Sequence, residues 1–111
     1  MDAFDLPQIE EAHLRNGELY HEFFRANRLS AGLYILQTGA TDPQTPHTED
    51  EIYYIVSGAG TIEVAGESRP VSAGSVIYVD AHVEHRFHSI TEELKIIVVF
   101  APPRLSRAGQ N

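Results

Sequence analysis

The chain has 111 residues, enough for one domain with a buried core. Its formal net charge of −8 argues against non-specific binding to nucleic acid and against binding to anionic membrane surfaces. Without cysteine it has no disulfide and no thiolate metal site, which is compatible with a reducing cytoplasm. No basic segment opens the chain and no apolar run reaches the length of a membrane span, so we expect a soluble, unprocessed, cytoplasmic protein.

A short helix is predicted first, and the pattern then changes to that of strands. Asp5 is a candidate cap, Pro7 suits a first helical turn and Gly17 suits a helix end, so residues 1–17 are predicted to form a helical segment. From Tyr20 onward apolar residues alternate with a period of two, as in half-buried strands. Strands are predicted over residues 20–25, 32–37, 51–56, 60–64, 76–79, 84–87 and 94–100. Many short strands at regular spacing indicate a sandwich or barrel.

The predicted barrel covers residues 18–103. Pro102 and Pro103 end its last strand, because proline cannot continue a paired ladder. The polar residues 104–111 are predicted to form a loose tail.

Two adjacent phenylalanines in the first predicted strand indicate association. Phe23 and Phe24 should face opposite sides of the strand, so one can enter the core while the other needs a cover. A second subunit could supply that cover. We therefore expect a homodimer with residues 20–25 near its interface.

Three candidate metal ligands lie on or beside the predicted strands. His47 and Glu51 are four residues apart and share a face if the segment is extended, and His85 follows the strand over 76–79 through a turn. Two imidazoles and one carboxylate suit a divalent transition metal (iron, manganese, nickel, zinc or copper) with positions left open. Either histidine alone would more often be a surface or hydrogen-bonded residue. Glu49 has the parity of Glu51 and is a possible additional ligand.

Other residues are candidates for the wall of a pocket beside these ligands. Tyr53 and Phe87 share the parity of Glu51 and His85, and Gln44 and Thr45 precede the ligand segment. His82 falls in a turn at the expected mouth of the barrel, where it is either a left-handed turn residue or a substrate contact. His88 has the opposite parity to His85 and should point away.

Two glycine-framed motifs make the chain resemble the cupin superfamily over residues 31–100. The first cupin motif has a glycine, five residues, His-x-His, three or four residues, a glutamate, six residues and a glycine. Its matching positions here are Gly39, Thr45-Pro46-His47, Glu51 and Gly58. The second has a glycine, five residues, Pro-x-Gly, two residues, a histidine, three residues and an asparagine. Its matching positions here are Gly74, Asp80-Ala81-His82, His85 and Ser89.

The resemblance implies an all-β fold, a single cupin-type antiparallel β-barrel (double-stranded β-helix or jelly roll) with a short N-terminal helix. It also implies a metal held in the barrel by His47, Glu51 and His85. Thr45 replaces the first motif histidine, which removes one of the family's four usual ligands and leaves three.

The function that the resemblance implies is a metal-dependent enzyme that acts on a small molecule, with dioxygenase- or isomerase-type chemistry. One alternative is a non-catalytic module that binds or senses a small molecule. The other is a structural or storage barrel without a functional metal, to which Thr45 gives weight.

Overall fold

The computed structural model describes residues 1–106, which form one helix and six strands. The elements are α1 (Leu6–Asn16), β1 (Tyr20–Arg25), β2 (Ser30–Leu36), β3 (Asp50–Val64), β4 (Glu67–Ser72), β5 (Val76–Val79) and β6 (His85–Ala101). No helix among these residues has the length and apolarity to cross a membrane. Residues 107–111 of the predicted tail lie outside the described part of the chain.

The helix α1 ends as the sequence predicts but begins without the expected cap. Gly17 follows it in the left-handed region, with φ of 70°, which glycine adopts without a steric penalty. The Asp5 side chain makes no capping hydrogen bond. Instead, the backbone carbonyl of Asp5 accepts hydrogen bonds from the N–H groups of Gln8 and Ile9, at 3.1 and 3.2 Å. Ile9 is the residue of α1 that is buried against the barrel.

All strand pairs are antiparallel, which confirms the predicted fold class. The strand order is β1-β2-β6-β3-β4. β5 lies off this path and pairs with β3 along the edge that does not pair with β6. Thus β3 and β6 form the central pair of the barrel. The core is made of inward-facing apolar residues of β2, β3 and β6 and their neighbours. They include Tyr34, Leu36, Tyr53, Ile55, Ile62, Phe87, Leu94, Ile96, Val98 and Phe100.

The two central strands are longer than the sequence predicts. Residues 51–56 and 60–64 belong to one strand, β3, and residues 84–87 and 94–100 fall almost entirely within β6. Register shifts between Ile55 and Thr61 bend β3 where the sequence predicts a break. Gly58 lies in this bend with φ of 99°, and an added Cβ would collide with the carbonyl oxygen of Glu93. A backbone approach this close requires glycine.

The strand β4 is absent from the predicted strands, and its sequence contains Pro70. Proline has no N–H to donate, so it is normally absent from central strands. β4 lies at the end of the strand order and pairs with β3 alone, so one of its sides needs no partner. Pro70 is therefore tolerated on an edge strand.

Both phenylalanines of β1 are covered by the chain's own N-terminal segment. A β-bulge between Glu22 and Phe24 interrupts the alternation on which the predicted opposite orientation of the two rings depends. Phe23 and Phe24 are both half-buried, and each makes an edge contact with Phe4, at centroid distances of 5.2 and 5.7 Å. Neither ring joins the core cluster, so the expectation that one of them enters the core is wrong.

Exposed apolar side chains lie instead on the outside of β3 and β5. Ile52 and Tyr54 are 43% and 46% exposed, and Val76 and Tyr78 are 60% and 55% exposed. The register pairs Ile52 with Tyr78 and Tyr54 with Val76, so the four side chains form one continuous patch. We refer to this patch as the β3–β5 outer face.

The residues after β6 return to the barrel. The backbone N–H of Arg104 donates to Oγ of Ser30 at 2.9 Å, and its carbonyl accepts from the guanidinium of Arg25 at 3.0 Å. Arg104 is therefore fixed against β1 and β2, although the sequence places it at the start of a loose tail.

Candidate metal centre

The three predicted ligands come from separate segments whose ends meet. His47 lies in the irregular segment before β3, Glu51 is the second residue of β3, and His85 is the first residue of β6. The strand β5 runs beside the start of β3, with Val79 paired to Glu51. Residues 80–84 then lead directly from β5 to His85. This connection brings His85 to Glu51, although the two are far apart along the β3–β6 ladder.

The turn after β5 is fastened to the segment that carries His47. The N–H of His82 donates to the carbonyl of His47 at 2.6 Å, and the N–H of Ala81 donates to the Asp50 carboxylate at 2.9 Å. His82 has φ of 66°, so it is a left-handed turn residue with an exposed side chain. Its backbone positions His47, whereas its imidazole lies outside the cavity lining.

The ligand atoms of His47, Glu51 and His85 all lie within 4.8 Å of one another. Nε2 of His85 is 2.7 Å from Oε1 of Glu51, and the two residues are 6% and 2% exposed. Despite this short distance, the geometry is not that of a hydrogen bond. Both Glu51 oxygens and His85 Nε2 lack a hydrogen-bond partner among residues 1–106.

Buried polar atoms without partners are costly, so this cluster requires a compensating charge. Either a protonated His85 pairs with the Glu51 carboxylate, or a cation occupies the space between the three side chains. Close approach without hydrogen-bond geometry is what two ligands of a common ion show. The donor set of two imidazoles and one carboxylate fits a divalent transition metal.

The surroundings of the two histidines differ. Burial lowers the pKa of His47, and the charge of Glu51 only partly opposes this, so its ring is neutral and has a lone pair for a metal. Burial also disfavours the charged form of His85, but the Glu51 carboxylate and the Val83 carbonyl outweigh it, and the pKa of His85 is raised. Nδ1 of His85 donates to the Val83 carbonyl at 2.9 Å, which directs Nε2 towards Glu51.

Glu49 lies outside this group of three. Its side chain is 1% exposed and accepts a hydrogen bond from the Thr48 hydroxyl. The parity argument needs residues 47–51 to be extended, but residues 48 and 49 form a bend and β3 begins at Asp50. The bend sends the Glu49 carboxylate to a different place from that of Glu51.

A cavity of about 410 Å³ opens beside the cluster, and both His47 and Glu51 line it. Of the predicted pocket residues, Gln44, Thr45 and Tyr53 also line it. The Gln44 amide donates to the Tyr53 hydroxyl at 2.8 Å, and its oxygen lies 2.9 Å from Nε2 of His47. Gln44 therefore links Tyr53 in the cavity wall to the candidate ligand His47.

Phe87 is a core residue and does not line the cavity. It is 1% exposed, and its ring makes an edge contact with Tyr53 at a centroid distance of 5.0 Å. Its parity places it inward, as predicted, but it packs against Tyr53, which itself lines the cavity. Most of the unpredicted lining residues come from outside the two motifs, and they include Glu18, Tyr20, Tyr34, Val98, Phe100 and Arg104.

Asp42 holds the loop before His47 against the barrel. Its carboxylate accepts a hydrogen bond from the Tyr34 hydroxyl at 2.5 Å and from the Phe87 N–H at 2.8 Å. The side chain is buried, and burial raises the pKa of Asp42. In the sequence, Asp42-Pro43 is an ordinary turn signal, so nothing local marks this contact to a strand 45 residues away.

Comparison with known proteins agrees with this architecture. The cupin domain family matches residues 32–100. An uncharacterized protein of Streptomyces coelicolor is 47% identical over 103 residues, which cover 93% of this chain and 98% of the relative. KdgF from Halomonas sp. superposes with a TM-score of 0.70 at 27% identity, over 77% of this chain and 78% of that one.

A further match is more limited in extent. L-ectoine synthase of Vibrio cholerae is 37% identical over 54 residues, which are 48% of this chain but 39% of that enzyme. The family match, in contrast, spans more than half of this chain and includes all three clustered residues. The chain therefore belongs to the cupin domain family, and its barrel is the double-stranded β-helix known from solved cupins.

Proposed function

We propose that this protein is a cytoplasmic, metal-dependent enzyme that acts on a small molecule. The observation that carries the proposal is the buried cluster of His47, Glu51 and His85 beside a cavity of about 410 Å³. A volume in this range suits a small metabolite. The name L-ectoine synthase describes an enzyme, so the match to it supports a catalytic role over simple binding.

The residues on the two sides of the cavity would have separate roles, one set in binding the metal and the other in forming the wall. His47, Glu51 and His85 would hold a divalent ion of iron, manganese, nickel, zinc or copper. Such an ion supplies Lewis-acid or dioxygen chemistry at a position that the protein leaves open. Gln44 orients His47, and Thr45 occupies the place of a fourth ligand without an imidazole. Tyr53, Val98 and Phe100 exclude water from the wall next to the ligands. Isomerase- and dioxygenase-type reactions both suit this arrangement.

Metal analysis and turnover together test the proposal. Purified protein should contain close to one divalent transition metal per chain. After removal and separate reconstitution with Fe(II), Mn(II), Ni(II), Zn(II) or Cu(II), at least one form should turn over a substrate from a metabolite panel. Oxygen consumption detects a dioxygenase, and proton NMR of the panel detects isomerisation.

The alternatives give different results in the same experiment. Metal together with saturable ligand binding but no turnover would show a binding or sensor module. A protein that takes up none of the five metals would show that a protonated His85 compensates Glu51, and the barrel would then be structural.

We also propose a homodimer that is formed through the β3–β5 outer face. An exposed apolar patch of this kind is typical of a protein–protein interface. A two-fold axis would bring the same patch of two copies together. Ile52→Lys and Tyr54→Lys should each shift wild-type dimer to monomer in sedimentation velocity runs, because each buries a charge at the contact. Leu14→Lys is the matched control, since Leu14 is 81% exposed on α1. A wild-type protein that stays monomeric at high micromolar concentration would contradict the proposal.

A further inference from the structure

Arg104 brings a positive charge to the cavity without a carboxylate to neutralise it. Its side chain lines the cavity, and the guanidinium carbon lies 5.0 Å from the ring centre of Tyr20. Within residues 1–106, hydrogen bonds of Arg104 involve its backbone N–H and carbonyl, and its guanidinium takes part in no ion pair. The backbone contacts fix the residue while the donors of its side chain stay available.

A second donor without a partner lies beside it. The hydroxyl of Tyr20 is buried, lines the same cavity and has no hydrogen-bond partner among the described residues. Burial is the main cause of the raised pKa of Tyr20, so the hydroxyl keeps its proton. A guanidinium and a phenol that both lack acceptors form a site for an oxygen anion.

The charges around the cavity limit which anion fits. Among the described residues that line the cavity, Arg104 is the one arginine and none is a lysine. The carboxylates of Glu18 and Glu51 also line it. The whole chain has a net charge of −8, so long-range attraction of anions is absent. One guanidinium matches the geometry and single charge of a carboxylate, and a phosphate dianion would need more positive charge. The remaining wall, including Tyr34, Val98 and Phe100, suits a short carbon skeleton.

We infer that the ligand of this cavity is a small monocarboxylate, with its carboxylate on Arg104 and Tyr20 and a carbonyl or hydroxyl oxygen towards His47 and Glu51. This inference rests on the proposed function for the second contact, and on Arg104 and Tyr20 for the first. It narrows the substrate class to oxo- or hydroxy-carboxylic acids of a few carbon atoms.

The test uses 4-oxopentanoate, its neutral amide and inorganic phosphate as probes. Dissociation constants are measured by NMR titration on zinc-loaded and metal-free full-length protein. Wild-type protein should bind the carboxylate at least about tenfold more tightly than the amide, since the neutral amide cannot form a charge-assisted ion pair with the guanidinium. Arg104→Gln should weaken carboxylate binding by at least about tenfold in both forms and leave zinc content unchanged. Tyr20→Phe should weaken it less, because one neutral donor is lost.

Arg69→Gln is the matched control, since Arg69 is exposed on β4 and donates to the Pro70 carbonyl outside the cavity. Its carboxylate affinity should equal that of the wild type. Equal affinity for the acid and the amide, tighter binding of phosphate, unchanged affinity in Arg104→Gln, or no binding of the carboxylate at millimolar concentration would each overturn the inference. If the protein takes up none of the five metals but binds the carboxylate through Arg104, the proposed metal-dependent function is refuted and the contact with Arg104 stands.

Discussion

Replacing His47 or His85 with alanine is expected to remove most of the bound metal. Each substitution takes one of the three converging ligand atoms from a group that lies within 4.8 Å. Loss of a residue that merely supports a ligand weakens metal binding by about 10–100-fold, so loss of a ligand should exceed that range. Metal per chain after dialysis, measured by mass spectrometry, should fall to less than about a tenth of the wild-type value.

His13→Ala and His88→Ala are the controls for this experiment. His13 contacts the Leu19 carbonyl from α1, and His88 lies three residues beyond His85, next to Ser89. Both variants should keep wild-type metal content. His47→Ala is the cleaner of the two test variants, because His85→Ala leaves the Glu51 carboxylate buried beside a gap. If both test variants retain metal, the site lies elsewhere, with Glu49, His82 or a surface cluster as the next candidates.

Replacing Asp42 with alanine should strongly destabilise the barrel. The substitution leaves the Tyr34 hydroxyl and the Phe87 N–H in a buried place without their acceptor. Each such group costs about 1–3 kcal/mol, so we expect the free energy of unfolding to fall by about 2–6 kcal/mol. That is a large share of the about 5–15 kcal/mol available to a domain. Urea unfolding followed by circular dichroism measures it.

Asp42→Asn is the matched control for this prediction. Its amide oxygen can accept from the Phe87 N–H and its amide nitrogen can donate to the Tyr34 hydroxyl, so the loss of stability should be much smaller.

The pH dependence of the unfolding free energy should also differ between the wild type and Asp42→Asn. Because burial raises the pKa of Asp42 above its ordinary value of 3.8, the folded state holds this proton more tightly than the unfolded state. The contribution of Asp42 to stability therefore falls as pH rises from that value through the raised pKa, and Asp42→Asn should lack this slope.

The grouping of the three candidate ligands could be predicted from strand alternation together with the two motifs. Alternation along a strand places Glu51 inward with His47, and the resemblance to the second cupin motif adds His85. Glu49 shows the limit of the same reasoning. A bend at residues 48 and 49 interrupts the alternation, so Glu49 does not join Glu51 in the cluster. Phe87 shows another limit, because an inward residue can pack in the core without reaching the cavity.

The residues that complete the site could not be predicted, because their roles depend on contacts between distant segments. Asp42 resembles a turn residue until Phe87 is placed against it. Arg104 follows two prolines and resembles the start of a tail, and its backbone hydrogen bonds with Ser30 and Arg25 return it to the barrel. The length of β3 and β6 depends in the same way on a close backbone approach at Gly58.

The contact between Glu51 and His85 also makes the site a marker of complete folding. Along the β3–β6 ladder Glu51 pairs with Phe100 and His85 pairs with Val64. In a flat ladder the two side chains would be roughly 40 Å apart, at about 3.3 Å per residue. They meet at 2.7 Å because the bent sheet closes on itself. An intermediate in which β3 and β6 are paired but β5 is not yet paired with β3 has no such site. A bound metal would therefore stabilise the closed barrel over such partly folded chains.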